Sequence, residues 1–387
     1  MVGTLKQFSV RTNIAFGPGA ITQLGEIAKD MGAQRFLVVA DAALESLGLL
    51  RPALDSLEQA GLQGEIFQNV DPEPYLDNAD GAAGLGRAVE ADLVVGIGGG
   101  SAMDTAKAAA ILLTNDGKAE DYVGLNRVNF PGIPTVMVPT TAGTGSEVTF
   151  TAVFTNRETK AKGGINSPFL FPEMALLDPE LTLTLPADVT AYTGMDALTH
   201  AIESVTSRSS TPFTEAMALT AVRLISGNLR RAVFHGDDAE ARGNMLMGSL
   251  LAGLALADAG VGAAHALAYP LGGKYRVPHG LANAMLIPSV MEFNLPAAEA
   301  QFALIARSMG EPVDGGSPRH AAEAALDAVQ TLCSDIGIPE FLSDIGIPSS
   351  DIPELVEAAL KVTRPVENNP RLLGAEQAEM IYQRLFY

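Results

Sequence analysis

Five histidines occur in the chain, and two of them, His265 and His279, lie in one stretch from Gly260 to Asn283. Small residues (Gly260, Gly262, Ala263, Ala264) crowd the first. Gly272-Gly273 and Val277-Pro278 separate the two, so the chain between them is expected to turn back at the Gly-Gly pair. Two imidazoles brought to one point suit a divalent transition metal. The stretch alone fits equally well two unrelated histidines, one capping a helix and one in a loop. Upstream, Asp196 and His200 stand four apart in a helical pattern, Gly194 to Glu203. Positions i and i+4 share a helix face, so this carboxylate and this imidazole point the same way. Such a pair is usually a surface pair, but Ala197, Leu198, Ala201 and Ile202 make this helix apolar, and a buried Asp needs a partner. Together Asp196, His200, His265 and His279 offer one carboxylate and three imidazoles. The other two histidines, His235 and His320, read as solvated surface residues.

The two stretches resemble the metal-binding motifs of the iron-containing (group III) alcohol dehydrogenases. That family places an Asp and a His on one helix, and two more His on the following segments, around Fe(II) or sometimes Zn(II). The resemblance runs over essentially the whole chain. It implies a dehydroquinate synthase-like architecture with an α/β, doubly wound dinucleotide-binding domain at the N-terminus and an all-α metal-binding domain after it.

The pattern of elements agrees with that expectation. Phe8 to Phe16 alternates roughly and reads as a strand, and short runs read as further strands at Arg35 to Ala40, Gly64 to Phe67, Asp92 to Ile97 and Thr135 to Val138. Helical patterns fall between them, at about Ile21 to Met31, Ala43 to Ala60, Asp77 to Glu90 and Ala102 to Leu113. Alternation of this kind argues for a doubly wound α/β domain. Val148 to Thr155 and Lys162 to Ile165 read as a β-hairpin. From Ala187 onward the periodicity is helical, and Pro179 and Pro186 bracket a plausible boundary, giving residues 1–185 and 186–387 as the two domains. The hexapeptide SDIGIP occurs twice, at Ser334 to Pro339 and Ser343 to Pro348, too closely spaced for a structural repeat.

Gly98-Gly99-Gly100-Ser101 follows a predicted strand and opens a helix, the context in which glycines admit a pyrophosphate and a helix N-terminus supplies free N–H groups. It is not the G-x-G-x-x-G order. It does resemble the family's GGGSxxDxAK loop, which extends the expected cofactor set to Asp104 and Lys107. Thr140, Thr141, Thr144 and Ser146 lie in a segment similar to the family's second cofactor loop. Lys162 stands near where the family carries a lysine on the nicotinamide side, with Lys160 two residues away. Asp41 ends the first buried α/β strand, where a carboxylate accepts adenosine ribose hydroxyls and repels a 2′-phosphate, which favours NAD over NADP. Its other role would be to cap the following helix.

The resemblance implies a metal-dependent, NAD(H)-linked alcohol dehydrogenase that interconverts a small primary alcohol or hydroxy acid and its aldehyde. The chain departs from the family at Tyr269, where many members carry a proton-relay histidine. A phenol of pKa near ~10 is a poorer shuttle at neutral pH than an imidazole near ~6.5. The Tyr-Pro pattern is similar to that of 4-hydroxybutyrate dehydrogenases and hydroxyacid–oxoacid transhydrogenases, which stay as alternatives. Lys274 and Arg276 are candidates for a substrate carboxylate. A lyase of the dehydroquinate synthase type shares the architecture but is disfavoured by the Asp-x-x-x-His helix.

The balance of 45 acidic against 25 basic residues, a formal net charge of −20, disfavours nucleic acid and anionic membranes as partners. The lone Cys333 excludes an intrachain disulfide and fits a reducing compartment, so a cytoplasmic location is expected. The N-terminal stretch lacks the pattern of a signal peptide, and no apolar run reaches the ~18 residues of a membrane span. The family resemblance implies a homodimer or higher homo-oligomer.

Overall fold

The computed structural model describes residues 8–157 and 162–386. The polypeptide forms two compact units, Val10–Leu185 and the residues from Pro186 onward, with Phe8 and Ser9 grouping with the second.

Among the described residues the first unit carries nine strands: β1 (Asn13–Phe16), β2 (Arg35–Ala40), β3 (Gln63–Phe67), β4 (Leu93–Gly98), β5 (Gly124–Leu125), β6 (Thr135–Pro139), β7 (Thr151–Thr155), β8 (Lys162–Asn166) and β9 (Met174–Leu177). Six of them form a parallel sheet in the order β1-β9-β6-β4-β2-β3. The other three form a small sheet in which β7 and β8 are the expected antiparallel hairpin.

The main sheet is buried on both faces, which is why its inner strands read as unbroken apolar runs. Leu37, Val39, Val94 and Met137 pack into one core, whereas Phe36, Val38, Ala40, Val95, Ile97 and Val138 pack into the other. After β2 the chain moves outward to β3, then returns across β2 to β4. The direction of winding thus reverses between β2 and β4, and open α/β sheets bind ligands outside the C-terminal ends of the strands at such a point. Ala40 pairs with Ile97 and Gly98 with Pro139, so the segments that follow β2, β4 and β6 emerge side by side.

Several sequence expectations are corrected in detail. The strand anticipated over residues 8–16 contracts to Asn13–Phe16, at the sheet's edge, with Ile14 and Phe16 partly exposed. The helix anticipated over residues 43–60 is two helices, Ala42–Ser46 and Arg51–Gln59, because Gly48 takes a left-handed backbone and Pro52 suits a new first turn. Strand β9 was not expected. Its four residues are not β-branched, and its place is set by pairing with β1 and β6.

The second unit is helical. Its first five helices are Ala187–Thr206, Pro212–Phe234, Ala239–Ala259, Ala263–Tyr275 and His279–Asn294. Thr211, Asp238 and Ser317 cap helix starts with their side chains. The Gly272-Gly273 pair is not a turn. The helix runs on through Pro270 and both glycines, and Arg276, with φ of 58°, ends it in a left-handed conformation. The turn between the two histidines is therefore Arg276 to Pro278. The repeated SDIGIP is a repeated helix stop. In each copy the isoleucine after glycine donates its N–H five residues back, Ile338 to Cys333 O and Ile347 to Leu342 O. No single helix among the described residues is long and apolar enough to cross a membrane.

Candidate metal centre and cofactor loops

Asp196 lies on the Ala187–Thr206 helix, in a segment buried from Gly194 to Thr206. The N-terminus of the His279–Asn294 helix packs directly against it. Gly280 permits this approach, since a Cβ there would lie 2.3 Å from the carbonyl oxygen of Tyr192. The result is that Asp196 Oδ1 stands 3.8 Å from His279 Nε2 and 3.8 Å from His265 Nε2. One ligand atom from each of these three side chains falls within 4.8 Å of the others. His200 is buried and stacks its ring on that of His265, centroids 4.6 Å apart, so it adjoins the three-residue set without being one of it. Tyr269 stacks in turn on His279, with centroids 5.7 Å apart and planes 11° from parallel. His235 and His320 are exposed.

Two polar residues not singled out from the sequence complete the cluster. Asn283, one turn after His279, donates to Asp196 Oδ1 at 2.7 Å and lies 3.2 Å from His279 Nε2. Glu203, one turn after His200, is 2.6 Å from His265 Nδ1. Helical spacing was the available signal for both: Asp196, His200 and Glu203 fall on one face, as do His279 and Asn283.

The electrostatics follow from burial and these neighbours. Burial pushes the Asp196 carboxyl up, but the imidazoles of His200, His279 and His265 and the Asn283 amide outweigh it and leave it below its ordinary value. Burial would depress His265, but the charge and hydrogen bond of Glu203, and then Asp196, hold it above its ordinary value. His265 Nε2 is buried and has no hydrogen-bond partner. A buried ring nitrogen left bare beside a carboxylate and a second imidazole is costly unless something occupies the gap. This donor set of one carboxylate oxygen and imidazole nitrogens fits a divalent transition ion.

In the α/β unit, Gly98, Gly99 and Gly100 leave β4 and open the Gly100–Leu112 helix, which no side chain caps. A Cβ on Gly100 would meet Thr144 at 2.8 Å, and one on Gly98 would meet Ala102 at 2.8 Å, whereas Gly99 has ordinary room beside Thr141. Thr140 N donates to Gly98 O at 2.9 Å, so the two expected cofactor loops are joined by backbone. Their uncapped helix end and glycine turn, at the sheet's switch point, fit a pyrophosphate. The other expected residues are engaged inside the unit. Ser101 donates to Pro72 O at 2.6 Å, and Ser146 Oγ to Asp104 Oδ1 at 2.5 Å. The Lys107 ammonium is fully buried, 3.2 Å from Asp104, and donates to the carbonyls of Ser146 and Thr151. Lys107 therefore braces the second loop from within. Lys162 pairs with Glu73 at 2.5 Å, and Lys160 lies outside the described residues. Asp41 accepts from Ala43 N at 2.9 Å, the helix-capping role. Lys274 is held by Asp351 and Glu354, whereas Arg276, three residues before His279, is exposed.

Comparison with known proteins places this arrangement in a class of oxidoreductases. A family model described as iron-containing alcohol dehydrogenase matches residues 11–179, and one described as the C-terminal part of the Fe-containing alcohol dehydrogenase family matches residues 190–386. The chain belongs to the iron-containing alcohol dehydrogenase family. It is 42% identical over 373 residues to a 1,3-propanediol dehydrogenase of Citrobacter freundii, covering 96% of each chain. It is 37% identical over 377 residues to an NAD-dependent methanol dehydrogenase of Bacillus methanolicus, covering 97% of this chain and 99% of that one. Among solved structures, a 1,3-propanediol oxidoreductase superposes with a TM-score of 0.96 at 41% identity, covering 99% of this chain and all of the other.

Proposed function

We propose that the enzyme interconverts small primary alcohols or diols and their aldehydes with NAD(H), using a divalent ion held by Asp196, His265 and His279, with the adjoining His200 as the fourth ligand. The observation that carries this reading is the bare, buried Nε2 of His265 facing Asp196 across 3.8 Å. When bound, the ion polarises the substrate oxygen while the nicotinamide accepts or returns hydride. Fe(II) is the ion the family points to, and Zn(II) is served by the same donors.

The chain's own residues supply position and charge. Asp196 brings one negative charge to the imidazoles and so moderates the electrophilicity of the ion. Asn283 fixes the Asp196 carboxylate by its 2.7 Å bond. Tyr269 holds the plane of His279 by stacking. With a phenol in place of the relay imidazole, proton release goes by another route through ribose hydroxyls and water, so alcohol oxidation should keep improving into alkaline pH. In the other unit, Gly98, Gly99, Gly100, Thr140, Thr141 and Thr144 are proposed to receive the cofactor. Asp104, Lys107 and Ser146 brace that surface, and Asp41 selects NAD by repelling a 2′-phosphate. The exposed edge of β1 supports self-association across a two-fold, testable by sedimentation at micromolar concentration.

The test is metal analysis of the purified protein together with NADH- and NADPH-linked reduction of propanal, 3-hydroxypropanal and succinic semialdehyde. About one Fe or Zn per chain and NADH-linked turnover of the first two aldehydes are expected. Protein that folds but holds no metal would overturn the reading. A clear preference for succinic semialdehyde, erased by Arg276→Ala, would move the assignment to the hydroxy-acid branch. Turnover of a hydroxy acid with 2-oxoglutarate and no added NAD would move it to the transhydrogenases.

A further inference from the structure

Glu203 is a carboxylate at 4% exposure that meets two backbone N–H donors and one imidazole nitrogen. Its Oε2 accepts from Gly262 N at 2.7 Å and lies 2.6 Å from His265 Nδ1, and its Oε1 accepts from Ala264 N at 2.7 Å. Gly262 and Ala264 flank the start of the Ala263–Tyr275 helix, so two of the N–H groups that a helix leaves unsatisfied point at this one side chain. The third, Ala263 N, goes to Asn369 Oδ1 at 3.4 Å, and Asn369 is itself locked by paired amide bonds to Asn294 at 2.8 Å each. A Cβ on Gly262 would come within 3.1 Å of Glu203 Oε1 and 3.3 Å of Asn369 Oδ1, so this helix start closes tightly on both acceptors.

We propose that Glu203 is a positioning residue that sets the tautomer and ring plane of His265, and through them the metal affinity of the site. This rests on the metal reading above. The two backbone donors fix the carboxylate before the imidazole is considered. An anion so fixed makes His265 donate through Nδ1, and the lone pair then lies on Nε2, the nitrogen that faces Asp196. A metal-ligating histidine bonded on its far side to a carboxylate is both oriented and made more basic toward the metal.

Replacement of one oxygen by NH2 breaks this logic without changing size. In Glu203→Gln the NH2 takes the place either of Oε1, which faces Ala264 N, or of Oε2, which faces Gly262 N and His265 Nδ1. Turned toward Ala264, its NH2 opposes a backbone N–H. Turned toward His265, it opposes Gly262 N–H but can donate to Nδ1, and the ring answers by carrying its proton on Nε2, where the metal must bind.

The test uses the full chain. In metal-stripped protein labelled with 15N-histidine, at a pH where the ring is neutral, the wild type should show His265 as the Nδ1–H tautomer. Glu203→Gln should shift it toward Nε2–H. Competition with a chromogenic chelator should show Zn(II) held on the order of 10- to 100-fold more weakly by Glu203→Gln. Asn369→Ala, which loosens the same helix start without touching His265, should keep near-wild-type Zn(II) affinity. An Nε2–H tautomer in the wild type, unchanged Zn(II) affinity in Glu203→Gln, or an equal loss in Asn369→Ala would overturn the proposal. Wild-type protein that binds no Zn(II) or Fe(II) would instead sink the metal reading, and the tautomer measurement would still decide the role of Glu203. Should Glu203→Gln fail to fold, the wild-type tautomer decides alone.

Discussion

At the strand ends of the α/β unit, the polar side chains near the expected cofactor surface turn inward. Asp104 is bonded to Ser146 and to Val153 N, and Lys107 to loop carbonyls, so the surface they support is made of backbone and small residues. In the helical unit the arrangement is reversed. Backbone bonds are spent within helices, and Asp196, His265 and His279 aim their polar atoms at one another. The difference teaches where each site is fragile. A backbone-built surface fails when a Cβ fills it. A side-chain cluster fails when the helices that carry it are pushed apart or when an orienting partner is lost.

Gly280→Ala should give the largest effect. Its Cβ would meet backbone atoms of Tyr192 at 2.3 and 2.7 Å, so the His279 helix must move away from Asp196. Turnover should fall on the order of 100-fold, with loss of bound metal measured by elemental analysis. In the other unit Gly99→Ala should keep the fold and the bound metal, because its Cβ meets only Thr141, at 3.6 Å, but should raise the KM for NADH by filling the proposed pyrophosphate surface. If both variants behave alike, the contrast between the units is wrong.

Glu147 sharpens the comparison by pH. It is fully buried in the short Ser146–Val148 helix that ends the second loop, with Oε1 lacking a hydrogen-bond partner. Burial pushes its carboxyl up to about 7, opposed only in part by its own backbone N–H and by Lys107. An unfolded chain releases this proton near 4.5, so stability should fall as pH rises from there to about 7 and stay level above it. The penalty is about 3 kcal/mol when fully developed. Urea unfolding at pH 5 and pH 8 should show that slope in the wild type and a flatter one in Glu147→Gln. A wild type whose stability rises over that window would contradict it.

The smallest effect is expected at Asp41. Asp41→Gly removes the bond to Ala43 N at a cost of a few tenths of a kcal/mol, roughly what a cap loses to Gly. It should narrow the preference for NADH over NADPH, read as the ratio of kcat/KM. A wild type that favours NADPH would refute the role given to this residue.

The helical site was largely legible in the sequence because its residue types are rare and their spacing is helical. Asp196, His265 and His279 could be named from two stretches. Glu203 and Asn283 carry the same spacing, but a Glu and an Asn are common on helices, and only the fold shows which donors they meet. In the α/β unit the alternation of runs sufficed for the parallel sheet, whereas β9 depends on partners far away in sequence. The inward turn of Lys107 was illegible for a physical reason. A lysine is ordinarily solvated, and here its ammonium is drawn into the interior by Asp104 and a ring of carbonyls that exists only once β7 is in place.

The central claim is that Asp196, His265 and His279 form a metal centre. It is tested most directly by metal content per chain in His265→Ala against wild type, both purified from cells grown with iron and zinc and both confirmed as folded by circular dichroism. The account predicts about one ion in the wild type and essentially none in the variant, with NADH-linked turnover lost in step. Full metal content in His265→Ala would contradict it.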